Sequence, residues 1–157
     1  MSVSSSLPGP AFLEPERPED AGFMALAIDQ ARRARFPFGA VIVRDGAVLA
    51  SGRNQGAERG DPTAHGEMVV IHAAIAAHGA DALKGATLYT SGEPCPMCMG
   101  AILWCGFGRL VYAASIERLA TKLNQIVVPC TVLAAAASFA PIAITGDVLS
   151  DEAIALF

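Results

Sequence analysis

The chain has 157 residues, a length that fits one domain with a single continuous core. Its 11 basic and 15 acidic residues give a formal net charge of −4, without the positive charge that usually accompanies binding to nucleic acid, so a nucleic-acid partner is not expected. Hydrophobic residues make up 53% of the chain and charged residues 17%, which favours a homo-oligomer, most simply a homodimer; the alternative is an alanine-rich core that needs no partner.

The N-terminal residues differ in composition from the rest of the chain. Residues 1–17 contain Ser, Pro and Glu and lack the basic start and apolar run of a signal peptide, so we expect a mobile leader there and a single domain over residues 18–157. The longest uncharged stretch, residues 125–146, is interrupted by Pro129 and Pro141 and is not expected to span a bilayer as one helix. We therefore predict a cytoplasmic protein with no membrane partner.

Apolar spacing and turn residues predict helices and strands along the chain. Asp45-Gly46 lies between two apolar runs and is typical of a hairpin turn, and Gly79 follows a helical pattern as a common stop. In chain order we predict a helix over 21–35, strands over 40–43 and 48–50, a helix over 64–78, a strand over 86–90, a helix over 96–104, a strand over 110–113, helices over 116–123 and 131–139, an edge strand over 142–145 and a terminal helix over 151–156. A hairpin followed by strand–helix alternation predicts an α/β fold with helices on both sides of one mixed sheet of five strands.

The residues that carry chemistry lie in two short segments, each at the start of a predicted helix. Residues 63–67 read Thr-Ala-His-Gly-Glu, and residues 93–98 read Glu-Pro-Cys-Pro-Met-Cys. The N-terminal end of a helix favours thiolates, so Cys95 and Cys98 on one first turn can bind a metal ion together with His65. Three protein ligands leave the fourth tetrahedral position for water, as in catalytic zinc sites. We therefore predict a Zn²⁺ centre of this kind.

Glu67 is predicted to be the catalytic residue of this centre. It lies two residues after His65 and is expected to face a water at the metal rather than the metal itself. A carboxylate in that position can take a proton from water and return it to a leaving amine. The pattern His-x-Glu followed by Pro-Cys-x-x-Cys is an established signature of zinc deaminases, which indicates hydrolytic removal of an amino group.

Other interpretations of the same residues stay open. A Cys-x-x-Cys pair also serves redox chemistry. A structural zinc site, which a zinc-stabilised binding module would contain, needs a fourth ligand. Residues available for that position are Cys105, Cys130, His72 and His78. Cys105 and His72 each follow a predicted ligand by seven residues and are more simply explained by packing.

At these residues the sequence resembles the cytidine deaminase superfamily, and within it the guanine deaminases most closely. The resemblance covers about residues 36–114, through residues 38–43, Asn54, residues 61–65, 88–91, 93–98 and 100–104. It implies a three-layer α/β/α sandwich that is usually dimeric and acts on an amino-purine or related free base. By matching position it implies that Asn54 hydrogen-bonds the edge of the base while Phe38 and Trp104 line the pocket. Without the resemblance, Phe38 and Trp104 read as core residues and Asn54 as a turn residue.

Two positions depart from the guanine deaminase pattern. Gly66 stands where the family commonly has Ala, which removes no chemical group. Guanine deaminases carry an acidic substrate contact after the fourth strand, whereas residues 123–127 contain no carboxylate, and Glu117 is the nearest candidate to replace it.

A second activity shares much of this pattern. The tRNA adenosine deaminases have the same Glu-Pro-Cys context, and residues 144–152 resemble their C-terminal region. Conversion of adenosine to inosine in tRNA is therefore the alternative function. The negative net charge and the lack of a basic tail favour a small base instead.

Overall fold

The computed structural model describes residues 12–157, and over that range one mixed six-stranded sheet forms the middle layer. The strands are β1 (Phe12–Leu13), β2 (Gly39–Arg44), β3 (Ala47–Arg53), β4 (Thr87–Gly92), β5 (Arg109–Ala114) and β6 (Ala143–Thr145). Their order across the sheet is β1-β6-β5-β4-β2-β3. β2 runs antiparallel to both of its neighbours, and the remaining pairs are parallel.

Helices cover both faces of this sheet. They are α1 (Asp20–Arg33), α2 (Gly56–Arg59), α3 (Gly66–His78), α4 (Pro96–Cys105), α5 (Ile116–Ala120), α6 (Cys130–Ala136) and α7 (Ser150–Ile154). Side chains alternate along the strands, so Ile42 and Leu88 pack under α3, α4 and α6, while Val41 and Val111 pack under α1 and α7. The predicted α/β/α sandwich is confirmed. None of these helices within residues 12–157 is both long and apolar enough to cross a bilayer.

The sheet has six strands where the sequence predicted five. The additional strand, Phe12–Leu13, pairs in parallel with β6 and lies in the stretch expected to be a leader. The Glu14 amide continues this pairing by donating to the Ile144 carbonyl at 2.9 Å. β1 has only two residues and both are exposed, so it lacks the alternation of apolar and polar residues by which a sequence indicates a strand. β1 also covers β6, which is therefore not an edge strand; residues 1–11 of the expected leader lie outside the described residues.

The predicted hairpin is confirmed. β2 and β3 pair antiparallel through a turn at Asp45 and Gly46, whose φ angles are 50° and 75°. Positive φ at both central residues is what a two-residue turn of type I′ requires, and Asp-Gly tolerates it at low cost. The hairpin brings Asn54, just after β3, next to the start of β2, where its amide donates to the Phe38 carbonyl at 2.9 Å.

A buried ion pair fastens α1 to β5. The Arg109 guanidinium donates to both carboxylate oxygens of Asp20 at 2.6 and 2.7 Å, and the Tyr89 hydroxyl donates to the same carboxylate at 2.8 Å. Burial raises the pKa of Asp20, but the hydrogen bonds from Arg109, the Arg17 amide and Tyr89 outweigh it and hold that pKa below its ordinary value. The ionised form of Asp20 is therefore bound more strongly in the folded chain than the neutral form.

We expect Asp20→Asn to lower the free energy of unfolding at pH 7 by up to about 3–5 kcal/mol, because it leaves the buried Arg109 guanidinium with Glu14, 3.3 Å from its Nε, as its one remaining charge partner among the described residues. A lowered folded-state pKa stabilises the fold above the unfolded value of about 3.9, and this contribution is lost as the pH falls through the folded value. The difference from wild type should therefore narrow in acid. Urea unfolding from pH 7 to pH 3 measures it, with Asp29→Asn as control, since Asp29 forms an exposed pair with Arg32 and should matter by no more than about 0.5 kcal/mol. An equal loss at every pH would show that the ion pair is not the cause.

Candidate metal centre and substrate pocket

The two segments with metal-binding residues meet at one end of the strands, where β3 and β4 end and β2 begins. His65 directly precedes α3 with φ −64° and ψ 156°, and Cys95 directly precedes α4 with φ −65° and ψ 167°. Both residues are thus extended positions from which a helix begins, as the sequence predicted. Cys98 follows in the first turn of α4, where Pro96 fits because its missing N–H has no partner within the helix.

The three predicted metal ligands lie close together. His65 Nδ1 is 3.6 Å from Cys95 Sγ and 3.5 Å from Cys98 Sγ, and all three ligand atoms lie within 4.8 Å of one another. A tetrahedral zinc ion with Zn–S of about 2.3 Å and Zn–N of about 2.0–2.1 Å holds sulfur and nitrogen about 3.6 Å apart. One imidazole and two thiols are also ligands that zinc prefers. The group fits Zn²⁺.

No fourth His, Cys, Asp or Glu joins this group within residues 12–157. The fourth ligands considered from the sequence have other surroundings: Cys130 is buried in the core at the start of α6, and His78 Nε2 lies 3.0 Å from the Leu49 carbonyl oxygen. A zinc ion here would keep a coordination position that these side chains do not fill. That is the arrangement of catalytic rather than structural zinc sites.

The protonation states of Cys95, Cys98 and His65 depend on one another because their side chains are hydrogen-bonded. A hydrogen bond from Cys98, with a further contribution from His65, outweighs burial and lowers the pKa of the Cys95 thiol to about 4. The same hydrogen bond and burial raise the pKa of the Cys98 thiol. Because zinc binds thiolates, its binding must displace the proton from Cys98, and metal affinity should fall with falling pH.

Glu67 lies in the first turn of α3 and is 5% exposed. Burial raises the pKa of Glu67 and outweighs the hydrogen bond from Thr90, whose hydroxyl lies 2.8 Å from Oε1. The same hydroxyl lies 2.9 Å from the Gly92 carbonyl oxygen. It can therefore donate to an ionised Glu67, or accept from a protonated Glu67 while donating to Gly92. Glu67 is held in one place in both protonation states.

A cavity of about 400 Å³ opens beside these groups, within the range typical of small-molecule sites. Its walls combine aromatic and aliphatic side chains with amides and the catalytic candidates. They are Phe36, Phe38, Asn54, His65, Glu67, Glu93, Cys95, Leu123, Asn124, Gln125 and Ile126. Two of the predicted substrate contacts, Asn54 and Phe38, thus share one cavity with Glu67 and with two of the metal ligands, His65 and Cys95.

Local hydrogen bonds fix the orientation of Asn54. Its Oδ1 accepts from the Gly56 amide at 3.0 Å, so the side-chain NH₂ is left to donate into the cavity. Close packing also fixes the neighbouring backbone, because a Cβ added at Gly66 would lie 3.2 Å from the Phe38 carbonyl oxygen. An Ala at residue 66 would require a shift of a few tenths of an ångström in this wall.

Trp104 is not brought to the cavity of its own chain. It lies eight residues after Pro96, about 12 Å further along α4, and its side chain is 79% exposed. Its ring stacks on Phe139 with centroids 4.9 Å apart. The substitute considered for the missing acidic contact, Glu117, is also exposed and outside the cavity, whose carboxylates are Glu67 and Glu93.

Several residues of the site were given no role from the sequence. They are Phe36, Thr90 and Glu93. Thr90 and Glu93 are polar residues at the end of a buried strand, which is the one signal that could have drawn attention to them. Residues 123–126, which the resemblance matched to the stretch of the acidic substrate contact, line the cavity without a carboxylate.

The described site has counterparts in known proteins. A family model described as "Cytidine and deoxycytidylate deaminase zinc-binding region" matches residues 17–114, more than half of the chain. The guanine deaminase of Bacillus subtilis is 53% identical over 78 residues, a match that covers half of this chain and half of that relative's length.

Two solved structures are similar over most of the chain. One, from a study of A-to-I editing by tRNA:A34 deaminases, is 35% identical with a TM-score of 0.73 and covers 87% of this chain and 99% of its own. The other, NE0047 in complex with 2,6-diaminopurine, is 26% identical with a TM-score of 0.76 and covers 87% of this chain and 78% of its own. With its matched zinc-binding region and its His65, Cys95 and Cys98 group, the chain belongs to the cytidine and deoxycytidylate deaminase family.

Proposed function

We propose that this protein is a zinc-dependent hydrolase that removes the amino group of an amino-purine or a related free base and releases the oxo-base and ammonia. The observation that carries this proposal is the content of one cavity. Two metal ligands, His65 and Cys95, line it together with the buried carboxyl group of Glu67. The ligand atom of Cys98 lies within 4.8 Å of theirs, and no fourth ligand joins the three among residues 12–157. A partly open zinc centre beside a buried acid/base group is suited to hydrolysis.

Glu67 is the group that moves protons in this reaction. Zn²⁺, when bound, supplies an acidified water and stabilises negative charge during its attack. Glu67 takes a proton as the water oxygen bonds to the ring carbon that carries the amine, and it returns a proton to the departing nitrogen as the C–N bond breaks. Its raised pKa suits this cycle because the carboxyl group has to keep the proton between the two transfers. Thr90 holds it in place in both states.

The remaining walls of the cavity suit a flat heterocycle. Such rings are held by apolar faces and selected by a few polar groups. Apolar contacts come from Phe36, Phe38, Leu123 and Ile126, and amide groups from Asn54, Asn124 and Gln125. The NH₂ of Asn54 can donate to a ring nitrogen or carbonyl oxygen.

A free base is favoured over a polynucleotide by charge. Among the described residues that line the cavity there is neither Lys nor Arg, and the net charge of the chain is −4. Similarity to a guanine deaminase and to a protein bound to 2,6-diaminopurine supports a purine. Because residues 123–126 offer amides in place of a carboxylate, we propose the amino-purine class and not guanine in particular.

A tRNA adenosine is the second candidate substrate. It is supported by the likeness to the structure from the tRNA:A34 deaminase study, which this chain matches over 99% of that chain's length. The chemistry assigned to Glu67 and to the metal ligands would be the same in both cases.

Ammonia release from a panel of substrates tests the proposal. The panel contains free amino-purines and other amino-heterocycles, the matching nucleosides and a tRNA anticodon stem-loop. We expect turnover of a free base, slower turnover of its nucleoside and weak RNA binding. Turnover of the stem-loop alone, with binding that weakens steeply with salt as several phosphate contacts require, would contradict the free-base proposal and support the alternative.

A further inference from the structure

One wall of the cavity has little secondary structure of its own. Residues 121–129 connect α5 to α6 and contain no helix or strand. Four of them, residues 123–126, line the cavity. The backbone amides of residues 124–127 donate no hydrogen bond to any group within residues 12–157. The position of this wall must therefore be fixed largely by α5 and α6, the two helices that it connects.

Glu93 binds the starts of the two helices that this segment connects. Its Oε1 accepts from the Ile116 amide at 3.0 Å, at the first residue of α5, and its Oε2 accepts from the Cys130 amide at 2.8 Å, at the first residue of α6. Ile116 and Cys130 are themselves buried. Amides at the start of a helix have no partner inside it, and hydrogen bonds to an ionised acceptor are stronger than neutral ones.

Glu93 is in turn held by the sheet and stands next to the metal ligands. It is 7% exposed, and its own amide donates to the Ala114 carbonyl at the end of β5 at 2.8 Å. Cys95 follows it by two residues. One side chain therefore connects the segment that carries a metal ligand to the starts of the two helices that flank the wall.

We propose that Glu93 is a positioning residue for substrate binding: its carboxylate joins the starts of α5 and α6 and so sets the place of wall residues 123–126 relative to Glu67 and the metal group. Its two oxygens accept backbone N–H groups at the two helix starts, so the role assigned to it is to hold the helices that flank the wall. The consequence for substrate binding rests on the proposed function. The connection that Glu93 makes between the starts of α5 and α6 does not depend on that function.

Glu93→Gln tests this role, with Glu152→Gln as the matched control because Glu152 is exposed on α7 and away from the cavity. The amide keeps one acceptor oxygen but turns its NH₂ towards the second backbone N–H, so one of the two hydrogen bonds is lost. For the free base that is turned over, we expect KM to rise about tenfold, the loss of roughly one charge-assisted hydrogen bond, while kcat changes less than about threefold. Zinc content should equal that of wild type. A fall in kcat at unchanged KM, a loss of zinc or an unchanged KM would each overturn the proposal.

Amide hydrogen exchange gives a second measurement that needs no turnover, and its wild-type part needs no variant. In the wild-type protein the Ile116 and Cys130 amides should exchange at least about tenfold more slowly than those of residues 124–127. Glu93→Gln should speed exchange of the Ile116 and Cys130 amides but not of the amides in α3. Equal exchange rates in the wild-type protein for the Ile116 and Cys130 amides and for those of residues 124–127 would overturn the proposal, even if the variant fails to fold. If no base is deaminated while the Ile116 and Cys130 amides are protected, the proposed function fails and the role of Glu93 in holding the wall stands.

Discussion

Glu67→Gln is expected to lower kcat by about 10²–10⁴-fold, the usual contribution of a general acid/base, without releasing zinc. Gln has nearly the same shape and still accepts the hydrogen bond from Thr90, which is 2.8 Å long in the wild type. It cannot take up and return a proton, however, so the amine loses its proton donor. Ammonia release under saturating substrate gives kcat, and metal analysis gives zinc per chain.

Two controls make this result specific to proton transfer. Glu152→Gln removes a charge from an exposed position on α7 and should leave kcat and zinc content at wild-type values. Circular dichroism of Glu67→Gln should match wild type, because the substitution replaces a buried carboxyl by a group of the same size. If zinc stays bound and turnover stays near wild type, Glu67 does not have the role assigned to it.

Cys98→Ser is expected to lower zinc affinity by more than about 100-fold, because even residues that only support a metal ligand contribute about 10–100-fold. The hydroxyl is not ionised near neutral pH and is a poorer ligand for zinc than a thiolate. Cys98 is buried next to His65, with its sulfur 3.5 Å from Nδ1. Competition with a coloured chelator measures the affinity, and activity should fall with the bound metal.

The chain provides a matched cysteine for comparison. Cys105 is half-buried at the end of α4 and lies outside the metal-ligating group, so Cys105→Ser should retain one zinc per chain and full activity. Release of zinc from both variants would indicate four protein ligands. The centre would then be structural, and the hydrolytic function would lose its support.

The sequence was sufficient for the chemical groups of the site. His65 and Glu67 lie on one helix start, and Cys95 and Cys98 on another, so each pair is set by spacing within a single turn. Spacing of that kind is local and depends little on the rest of the fold. The hairpin at Asp45 was equally local, because the turn type follows from two adjacent residues.

Resemblance to a family was less reliable for the substrate contacts than for the metal ligands. It placed Asn54, Phe38 and Trp104 together in the pocket, and the first two line the cavity beside Glu67. Trp104 is exposed at the far end of α4 in the single chain. A matching position in a helix fixes the residue but not what that face of the helix meets.

The sequence by itself determined which side chains can bind a metal and move a proton, because those properties belong to residue types and to the geometry of one helical turn. Only the tertiary structure decided what surrounds them. Glu93 stands two residues from Cys95, yet its partners Ile116 and Cys130 are 23 and 37 residues away, and β1 finds its partner in β6 only once the sheet is built. Contacts over such distances depend on how the whole chain packs, and neither apolar spacing nor a short motif records them.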